Sequence, residues 1–279
     1  MTITILVTGA AGNVGAELVR LLLADGRTVR ALSRTSAPGG VPAGAEIVTG
    51  DLADRSSLAA AFTAVDAVFL LAGYPDTPGL LSDLRAAGVT RVVLLSSGAV
   101  VDGDPENYVV RYNAESEKAV RDSGLEWTIL RPSGFMSNTL QWRDQLRTGT
   151  EVVEPFADVP IAVIDPADIA AVATLALTTA GHHGRSYRLT GPHALLPADR
   201  ARVLGRVLDR DIELRAEQDP QARRRMTQDM PEPMVDAFFQ FFRRGGYDDS
   251  RVDPTLPSLL VRPARTFEQW ARQHADDFR

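Results

Sequence analysis

Three glycines that stand three residues apart, Gly9, Gly12 and Gly15, constrain the fold of this chain more than any other feature. They lie in the stretch V-T-G-A-A-G-N-V-G-A, which follows an apolar run at 3–8 and opens a helical pattern at 13–25. Glycine permits a tight turn and a close approach of the backbone to another group. We predict that Gly9 turns the chain off a strand, Gly12 allows close approach of a ligand, and Gly15 lets the helix pack on the strand.

The first half of the chain alternates between runs that are typical of strands and patterns that are typical of helices. The apolar runs are continuous, as expected for strands of a parallel sheet that is buried on both faces. We therefore predict an α/β fold, a Rossmann-type doubly wound parallel sheet. The predicted strands are 3–8, 28–33, 45–49, 67–71, 91–96 and 127–131, and the predicted helices are 13–25, 55–64, 79–87 and 108–123.

This alternation loosens past residue 135. We predict a Rossmann core over 1–150, with 151–279 contributing further core elements interleaved with a small, mostly helical C-terminal substrate lobe. The phenylalanines within 238–242 are expected to pack in a core, and the basic run at 223–225 is expected to form a solvated helix face. Further strands are predicted at 160–164 and 185–190, and further helices at 165–177, 197–209 and 265–274.

The composition excludes several classes of function. A net charge of −6 without a long basic block argues against nucleic acid and against an acidic membrane surface as partners. The chain has no cysteine, which excludes disulfides and thiolate catalysis, and its four histidines form no ligand pattern, so we predict no metal. Because there is no N-terminal signal and no apolar run of about 18 residues, we expect a cytoplasmic protein without a membrane span.

The helix that starts at the glycine turn is predicted to hold the pyrophosphate of a dinucleotide. A helix N-terminus presents unpaired N–H groups and the positive end of the helix dipole, and Asn13 and Val14 supply the first-turn amides. The acid that would bind the ribose hydroxyls of NAD is missing, because 26–45 contains no Asp or Glu. Ser33 and Arg34 stand there instead, so we predict NADP(H), with Arg34 pairing with the 2′-phosphate.

Other predicted cofactor contacts follow later strands, since ligands of such sheets bind at the carboxyl ends of the strands. Asp51 and Leu52 are predicted to bracket the adenine, with the Asp51 carboxylate accepting a hydrogen bond from the adenine amino group. Small residues after the fourth strand would let the cofactor cross the sheet edge, and a serine ends the fifth strand. These further contacts are Leu71, Ala72, Gly73 and Ser96.

The spacing G-x-x-G-x-x-G resembles that of the short-chain dehydrogenase/reductase superfamily, in its extended and atypical branches. Reductases of this superfamily usually carry Tyr-x-x-x-Lys on a helix, where the lysine lowers the tyrosine pKa and the tyrosine hands over a proton. Here Tyr112 is six residues before Lys118, about 240° around the helix, and Ala114 holds the position four residues before it. The usual proton donor is therefore missing, although Ser96 stands where a catalytic serine would.

Residues 113–138 carry a narrower resemblance. They are similar to the NmrA-like atypical branch and, within it, to the NADPH-dependent quinone oxidoreductases, with Asn113 in place of the common histidine and Trp127 in place of the common tyrosine. The segments 164–170 and 266–271 also resemble this family. The matching residues of the first segment are Glu117, Lys118, Ser123, Gly124, Thr128, Leu130, Arg131, Phe135 and Asn138.

The resemblance implies an NAD(P)H-dependent oxidoreductase that transfers hydride to a quinone or to a related aromatic or activated carbonyl compound. It implies that Lys118 supplies a cation near the acceptor or binds the nicotinamide ribose, and that Asn113 holds the position of a proton relay. Residues 131–136, which include Pro132, would line the nicotinamide side. Four aromatic residues are candidate walls for a flat substrate, with core packing as the alternative for each: Tyr74, Phe135, Trp142 and Phe156.

Two other functions remain open from the sequence. The missing proton donor is also typical of a non-catalytic redox sensor of the NmrA type, which binds NADP and passes its state to a partner. A tailoring enzyme that acts on a polycyclic aromatic natural product, with chemistry that could be oxidative, would use the same scaffold. We expect a small-molecule substrate as the partner, and the sequence leaves the formation of a homodimer open.

Replacement of Arg34 by alanine tests the cofactor prediction. We expect Arg34→Ala to weaken the binding of NADPH far more than the binding of NADH, because only NADPH carries the 2′-phosphate that the guanidinium would contact. Titration of both nucleotides against the variant and the wild-type protein gives the dissociation constants. Equal losses for NADPH and NADH would contradict the prediction.

Overall fold

The computed structural model describes residues 3–279 and divides into two compact units. The chain passes from one unit to the other several times, so neither is a single continuous segment. The predicted boundary at residue 150 falls inside a segment of the second unit. The first unit contains the chain up to Ser97 together with Tyr112–Pro132 and Pro166–Arg188, and the second contains Gly98–Arg111, Ser133–Asp165 and Leu189–Arg279.

The strands of the described residues are β1 (Thr4–Val7), β2 (Thr28–Ser33), β3 (Glu46–Thr49), β4 (Ala67–Leu71), β5 (Arg91–Leu95), β6 (Glu126–Pro132), β7 (Glu151–Glu154), β8 (Arg185–Leu189) and β9 (Glu213–Ala216). Seven of them form one sheet in the order β3-β2-β1-β4-β5-β6-β8, and β7 pairs with β9 in a separate sheet. Every ladder from β3 across to β6 is parallel. The predicted Rossmann-type sheet is therefore confirmed.

The helices of the described residues follow the predicted positions closely in the first unit. The predicted helix at 55–64 is divided into a 3₁₀ turn at Arg55–Ser57 and a short helix. The helices are α1 (Asn13–Ala24), α2 (Ala59–Phe62), α3 (Thr77–Ala86), α4 (Ala99–Asp102), α5 (Tyr108–Asp122), α6 (Arg143–Thr148), α7 (Pro166–Thr178), α8 (Pro197–Leu208), α9 (Asp219–Asp229), α10 (Glu232–Arg243), α11 (Thr255–Leu260) and α12 (Phe267–Gln273), with 3₁₀ segments at Met136–Trp142 and Ala275–Phe278.

The central sheet is covered on both faces. Successive residues of a strand point to opposite sides of the sheet, so neighbouring residues show what covers each face. Leu6, Val68 and Val92 belong to a core cluster that also contains residues of α3 and α5. Phe69 and Val93, one position along their strands, face the other side, where α1 packs against α7. None of these five side chains is exposed. Burial on both faces explains why the strands read as continuous apolar runs.

The glycine turn between β1 and α1 has the geometry that the sequence predicts. Gly9 adopts a φ of +63°, in the left-handed region that favours glycine, and its carbonyl accepts a 2.9 Å hydrogen bond from the Gly12 N–H. A Cβ at Gly15 would lie 2.1 Å from the Gly9 carbonyl oxygen, so α1 reaches this position against the strand only with glycine there. A Cβ at Gly9 would in turn lie 2.7 Å from Cδ1 of Leu71.

The structure differs from the sequence prediction at two places in the second unit. Residues 162–164 are buried, but the segment 160–164 makes only isolated bridges, from Ile161 to Leu195 and from Ile164 to Phe135, so the predicted strand is wrong. Pro160 lacks the N–H that a ladder requires at the start of this segment. The pair of β7 and β9 was not predicted, because both strands are short and charged and carry no clear apolar pattern.

The phenylalanines of α10 pack inside the second unit, as predicted. Phe239 and Phe242 lie against Phe156, with ring centroids 5.1 Å and 5.2 Å from its own. The basic run at 223–225 sits on a partly exposed helix face, where Arg223 pairs with Asp236 and with Glu232, and Arg225 pairs with Glu217. These contacts balance the positive charge of the run.

Within residues 3–279, no helix is long and apolar enough to cross a membrane. The same residues contain no group of three or more His, Cys, Asp or Glu side chains that could hold a metal ion. His182 and His183 have structural partners instead. The Nδ1 atom of His182 lies 2.8 Å from the Tyr187 hydroxyl, and Nδ1 of His183 accepts a 3.1 Å hydrogen bond from the Trp127 N–H. Both histidines therefore support the β6–β8 edge of the sheet.

Substitution of Gly15 by alanine tests how closely α1 depends on the glycine turn. We expect Gly15→Ala to lower the free energy of unfolding by roughly 3 kcal/mol, because the new Cβ would force α1 off the Gly9 carbonyl. Gly39→Ala is the matched control, since nothing lies within 4 Å of a Cβ there, and it should change stability by less than about 0.5 kcal/mol. Urea unfolding of both variants measures the effect, and equal changes would contradict the packing argument.

Candidate active site

The N-terminus of α1 offers a cradle for a phosphate group at the carboxyl edge of the sheet. Gly12 caps the helix without any side-chain hydrogen bond, and its first turn carries no acidic residue. Gly12 and Asn13 are exposed, whereas Val14 is buried and offers only its backbone. A Cβ at Gly12 would lie 3.2 Å from the Gly9 oxygen and would narrow the cradle. These features fit the pyrophosphate of the predicted cofactor, since uncapped N–H groups bind anions.

The ends of β2 and β3 lie side by side on this edge. The Gly50 N–H donates to the Ser33 carbonyl at 2.9 Å, and the Ser33 hydroxyl oxygen accepts from the Thr35 N–H at 3.1 Å. Arg34 is exposed, and the Asp51 carboxylate accepts a 2.9 Å hydrogen bond from the Ala53 N–H. The predicted contacts for the 2′-phosphate and for the adenine amino group are therefore brought to neighbouring strand ends.

Tyr74 lies near these two charged residues. Burial raises the pKa of its phenol, the Asp51 carboxylate raises it further, and the Arg34 guanidinium opposes both effects. The ring packs against the core cluster that contains Leu52, whose side chain is 8% exposed. Tyr74 therefore lies beside the residues that are predicted to contact the adenine and the 2′-phosphate, and its role as a substrate wall stays a prediction.

The end of β4 is held in place by two hydroxyl groups. The Thr8 hydroxyl donates to the Phe69 carbonyl at 3.0 Å and accepts from the Leu71 N–H at 3.2 Å, which joins the ends of β1 and β4. Beyond Ala72, Gly73 adopts a φ of +96°, and its N–H donates to the Ser116 hydroxyl oxygen at 3.1 Å. The small residues after β4 thus lie directly against the inner face of α5.

The Tyr112 ring closes the space beside Gly73. A Cβ at Gly73 would lie 3.3 Å from Cδ2 of Tyr112, so only glycine admits the ring at this distance. The residue four positions after Tyr112 is Ser116, and its hydroxyl donates to the Tyr112 carbonyl at 2.8 Å. Tyr112 therefore reaches the carboxyl edge without a lysine at the spacing that the usual reductase motif requires.

A buried carboxylate stands behind the end of β5. Glu117 has no exposed surface, and it accepts hydrogen bonds from the Ser96 hydroxyl at 2.7 Å and from Arg121 at 2.6 Å. Arg131 on β6 donates to both of its oxygens, through Nε at 2.8 Å and Nη2 at 2.6 Å. The network joins β5, β6 and α5, and it engages the proton of Ser96 in a hydrogen bond to the buried carboxylate.

The charge state of Glu117 follows from these partners. Burial alone would raise the pKa of its carboxyl, but the hydrogen bonds and charge of Arg131, together with the hydrogen bonds of Ser96 and Arg121, outweigh burial. The pKa of Glu117 is therefore held below its ordinary value. The carboxylate stays ionised at neutral pH and keeps accepting the Ser96 proton.

The two residues predicted to act in catalysis lie on different sides of α5. The side chain of Lys118 is 78% exposed and pairs with Asp122 one turn along the helix. Asn113 is 3% exposed and shares the inner face with Glu117. The surface position gives no support to a role for Lys118 in cofactor binding or catalysis, which stays a prediction from the sequence, while Asn113 is brought to the inner face on which Tyr112 and Ser116 also lie.

The remaining predicted contacts belong to different surroundings. Pro132 ends β6 in the first unit and is buried. In the second unit Phe135 is partly exposed and precedes the 3₁₀ segment Met136–Trp142. Trp142 has no exposed surface, and its indole N–H donates to Glu154 at 2.7 Å. Phe156 is 8% exposed within the phenylalanine cluster of α10. Trp142 and Phe156 therefore lie in core clusters, which is the alternative that the sequence left open for each of them.

Sequence reasoning overlooked the ion pair between Glu117, buried on the inner face of α5, and Arg131 of β6. Glu117 and Arg131 were noted only as matches to a family pattern, although a carboxylate at helical spacing with buried Val110 and Val120 needs a partner inside the protein. An arginine that directly follows the apolar residues Ile129 and Leu130 of β6 is the complementary signal. Thr8 carried no comparable signal, because only the sheet topology brings it to β4.

Comparison with known proteins identifies relatives along the whole chain. The family described as NAD(P)H-binding matches residues 9–180. The (4-alkanoyl-5-oxo-2,5-dihydrofuran-3-yl)methyl phosphate reductase of Streptomyces griseus is 41% identical over 98% of this chain and 99% of its own length. The NAD(P)H azoreductase of Xenophilus azovorans is 35% identical over 98% of this chain and 99% of its own.

A solved structure is similar in fold. The NADPH-dependent quinone oxidoreductase of Escherichia coli, crystallised with NADPH, superposes with a TM-score of 0.77 at 22% identity, over 96% of this chain and 99% of that one. In this chain the carboxyl edge described above carries the glycine cradle and the ends of β2, β3 and β4. This chain and that structure therefore share the same fold.

The pH dependence of stability tests the Glu117 network. The folded pKa of Glu117 lies below its ordinary value of 4.5, so its ionised form contributes stability that is fully present above that pH and is lost as the pH falls through the folded pKa. Glu117→Gln lacks this titration. We expect it to be less stable than the wild-type protein at pH 7, with the difference narrowing below pH 4.5. Urea unfolding between about pH 7 and pH 3 measures the difference, and a constant gap would contradict the network.

Proposed function

Because the chain belongs to the NAD(P)H-binding family and is an NAD(P)H-dependent oxidoreductase of the NmrA-like atypical short-chain branch, we propose that it reduces conjugated, electron-poor acceptors with NADPH. The acceptor class comprises quinones and carbonyl compounds whose C=O is conjugated with a C=C bond. NADPH supplies the hydride when it is bound. Two relatives that cover 98% of this chain are reductases, which favours an enzyme over the non-catalytic sensor.

The observation that carries the proposal is that the tyrosine–lysine pair of the usual reductases is missing from the corner between β5 and α5. Ala114 replaces the tyrosine of Tyr-x-x-x-Lys, and Lys118 is exposed. The proton of Ser96 points to Glu117. An isolated ketone that receives hydride becomes a basic alkoxide and needs a positioned acid. A quinone or a conjugated enone spreads the negative charge over several atoms, so water can complete its protonation without a dedicated donor.

The names of two relatives agree with this class of acceptor. One acts on a 5-oxo-2,5-dihydrofuran that bears an alkanoyl group, in which a C=C bond is conjugated with carbonyl groups, and the other acts on azo compounds. In each the acceptor is a double bond made electron-poor by its neighbours. The shared chemistry supports conjugation, rather than one particular ring system, as the property that the enzyme selects.

The cofactor preference is part of the same proposal. The N-terminal turn of α1 would hold the pyrophosphate, and Arg34 beside Ser33 would contact the 2′-phosphate. Asp51 and Tyr74 would flank the adenine, which fits the position of Tyr74 near both charged groups. Asn113 and Tyr112 would face the nicotinamide end, because Tyr112 lies beside Gly73 and Asn113 is buried on the inner face of the same helix.

Matched pairs of acceptors test the proposal. We expect kcat/KM for cyclohexenone, a simple quinone and an acyl-dihydrofuranone phosphate to exceed that for cyclohexanone by roughly a hundredfold, a barrier difference of about 2.7 kcal/mol. NADPH oxidation followed at 340 nm measures each rate, with NADH as the comparison cofactor. Cyclohexanone differs from cyclohexenone only in the C=C bond, so equal rates on the two would overturn the proposal, as would the absence of turnover with every conjugated acceptor.

A further inference from the structure

The hydrogen-bonding capacity of Ser96 is restricted by the carboxylate behind it. A serine hydroxyl has one proton and two lone pairs, and a carboxylate only accepts. In the 2.7 Å contact between Ser96 Oγ and Glu117 Oε1, the proton must therefore come from Ser96. The side chain of Ser96 can still accept a hydrogen bond from a ligand, but it has no second proton to donate.

The geometry makes this restriction persistent. Glu117 is held on α5 by two hydrogen bonds from Arg131 and one from Arg121, and it has no exposed surface. Guanidinium groups remain protonated at any physiological pH, so their charges stay in place. If the Ser96 hydroxyl turned away, a buried carboxylate oxygen would lose a donor, and that loss is unfavourable.

We propose that Glu117 is a positioning residue that makes Ser96 a hydrogen-bond acceptor for the bound dinucleotide, so that Ser96 does not protonate the substrate. Ser96 follows β5 at the carboxyl edge of the sheet, where a dinucleotide crosses, and is 7% exposed. Its ligand is an O–H or N–H donor of the nicotinamide half, either a ribose hydroxyl or the carboxamide. The inference rests on the proposed function only for the identity of the substrate that accepts the hydride.

The role is the reverse of the one expected for a serine at this position in the usual reductases. There the hydroxyl would assist the carbonyl oxygen of the substrate, whereas here a charged acceptor already takes its proton. Polarisation by the carboxylate also makes the Ser96 oxygen a better acceptor, since hydrogen bonds in a chain strengthen one another. Glu117 thus acts on the cofactor through Ser96 without touching it.

Cofactor binding by two Ser96 variants gives the first test. We expect Ser96→Ala to weaken NADPH binding by about tenfold, the usual size for one hydrogen bond to a polarised group, while Ser96→Thr keeps the hydroxyl and binds nearly as well as the wild-type protein. Nucleotide fluorescence titration measures binding without turnover, so the result does not depend on the proposed substrate. Unchanged NADPH binding in Ser96→Ala would overturn the inference.

Turnover separates an acceptor from a proton donor. At saturating NADPH, Ser96→Ala should lower kcat for a quinone by a smaller factor than the tenfold loss in NADPH binding, because the lost contact is to the cofactor and its concentration largely overcomes the loss. A large fall in kcat with unchanged cofactor binding would make Ser96 a proton donor and would overturn the inference. Ser96→Thr must restore both quantities if the hydroxyl oxygen is the group responsible.

A double-mutant cycle tests the part assigned to Glu117. If Glu117 acts through Ser96, the effects of Ser96→Ala and Glu117→Gln on the NADPH dissociation constant are not additive, and Ser96→Ala weakens binding less in the Glu117→Gln background. Additive effects would reduce Glu117 to a purely structural residue and overturn its positioning role. Urea unfolding of each variant confirms that the proteins compared are folded.

A cofactor analogue identifies the donor on the ligand. The 3-acetylpyridine analogue of NADP replaces the carboxamide NH₂ by a methyl group and keeps both ribose hydroxyls. If Ser96 accepts from the carboxamide, Ser96→Ala will not weaken binding of this analogue. If Ser96 accepts from the ribose, the tenfold loss will persist. Both results support the acceptor role.

Discussion

The contact between Gly15 and the Gly9 carbonyl is the constraint from which the position of the site follows. A side chain at Gly15 would overlap that carbonyl, and one at Gly9 would overlap Leu71 at the end of β4. With glycine at both positions, α1 begins directly at the carboxyl edge of the sheet, and its free N–H groups face the edge. The ends of β2, β3 and β4 open on the same edge, because these strands are parallel and all end on the same side.

The buried carboxylate of Glu117 is the second constraint, and it bears on chemistry rather than on position. Its bonds to Ser96, Arg131 and Arg121 join two strands to α5 and fix the inner face of that helix. A reductase of the usual kind would present a tyrosine and a lysine there to protonate its product. This chain presents the Ser96 hydroxyl, whose proton is donated to Glu117. That arrangement is compatible with conjugated hydride acceptors, which spread negative charge over several of their own atoms.

The success of the sequence prediction varied with how local its signals were. Strands β1 and β4 were predicted to within two residues because each is a mostly apolar run bounded by turn residues. The segment 160–164 has the same apolar character, but it is buried without a continuous partner strand. An apolar run forms a ladder only if another strand lies beside it. The local sequence pattern does not show which part of the chain that will be.

The aromatic residues illustrate the same limit within the site. Trp142 donates a hydrogen bond to Glu154, twelve residues away, and is buried in a core. Tyr74 lies near Asp51 and Arg34 instead. Both looked alike as candidate walls for a flat substrate. Long-range packing decides which residues an aromatic ring contacts. The burial and the direction of the ring could therefore not be read from its neighbours in sequence.

The sequence by itself determined the doubly wound sheet, the glycine turn and the replacement of an acid by Arg34, because backbone freedom, apolar runs and charge are properties of the residues themselves. Only the tertiary structure decided that Lys118 points to solvent and that the proton of Ser96 belongs to Glu117. The physical reason is that hydrogen bonds and burial act across space, and they joined Ser96, Glu117 and Arg131 from two strands and a helix into one network.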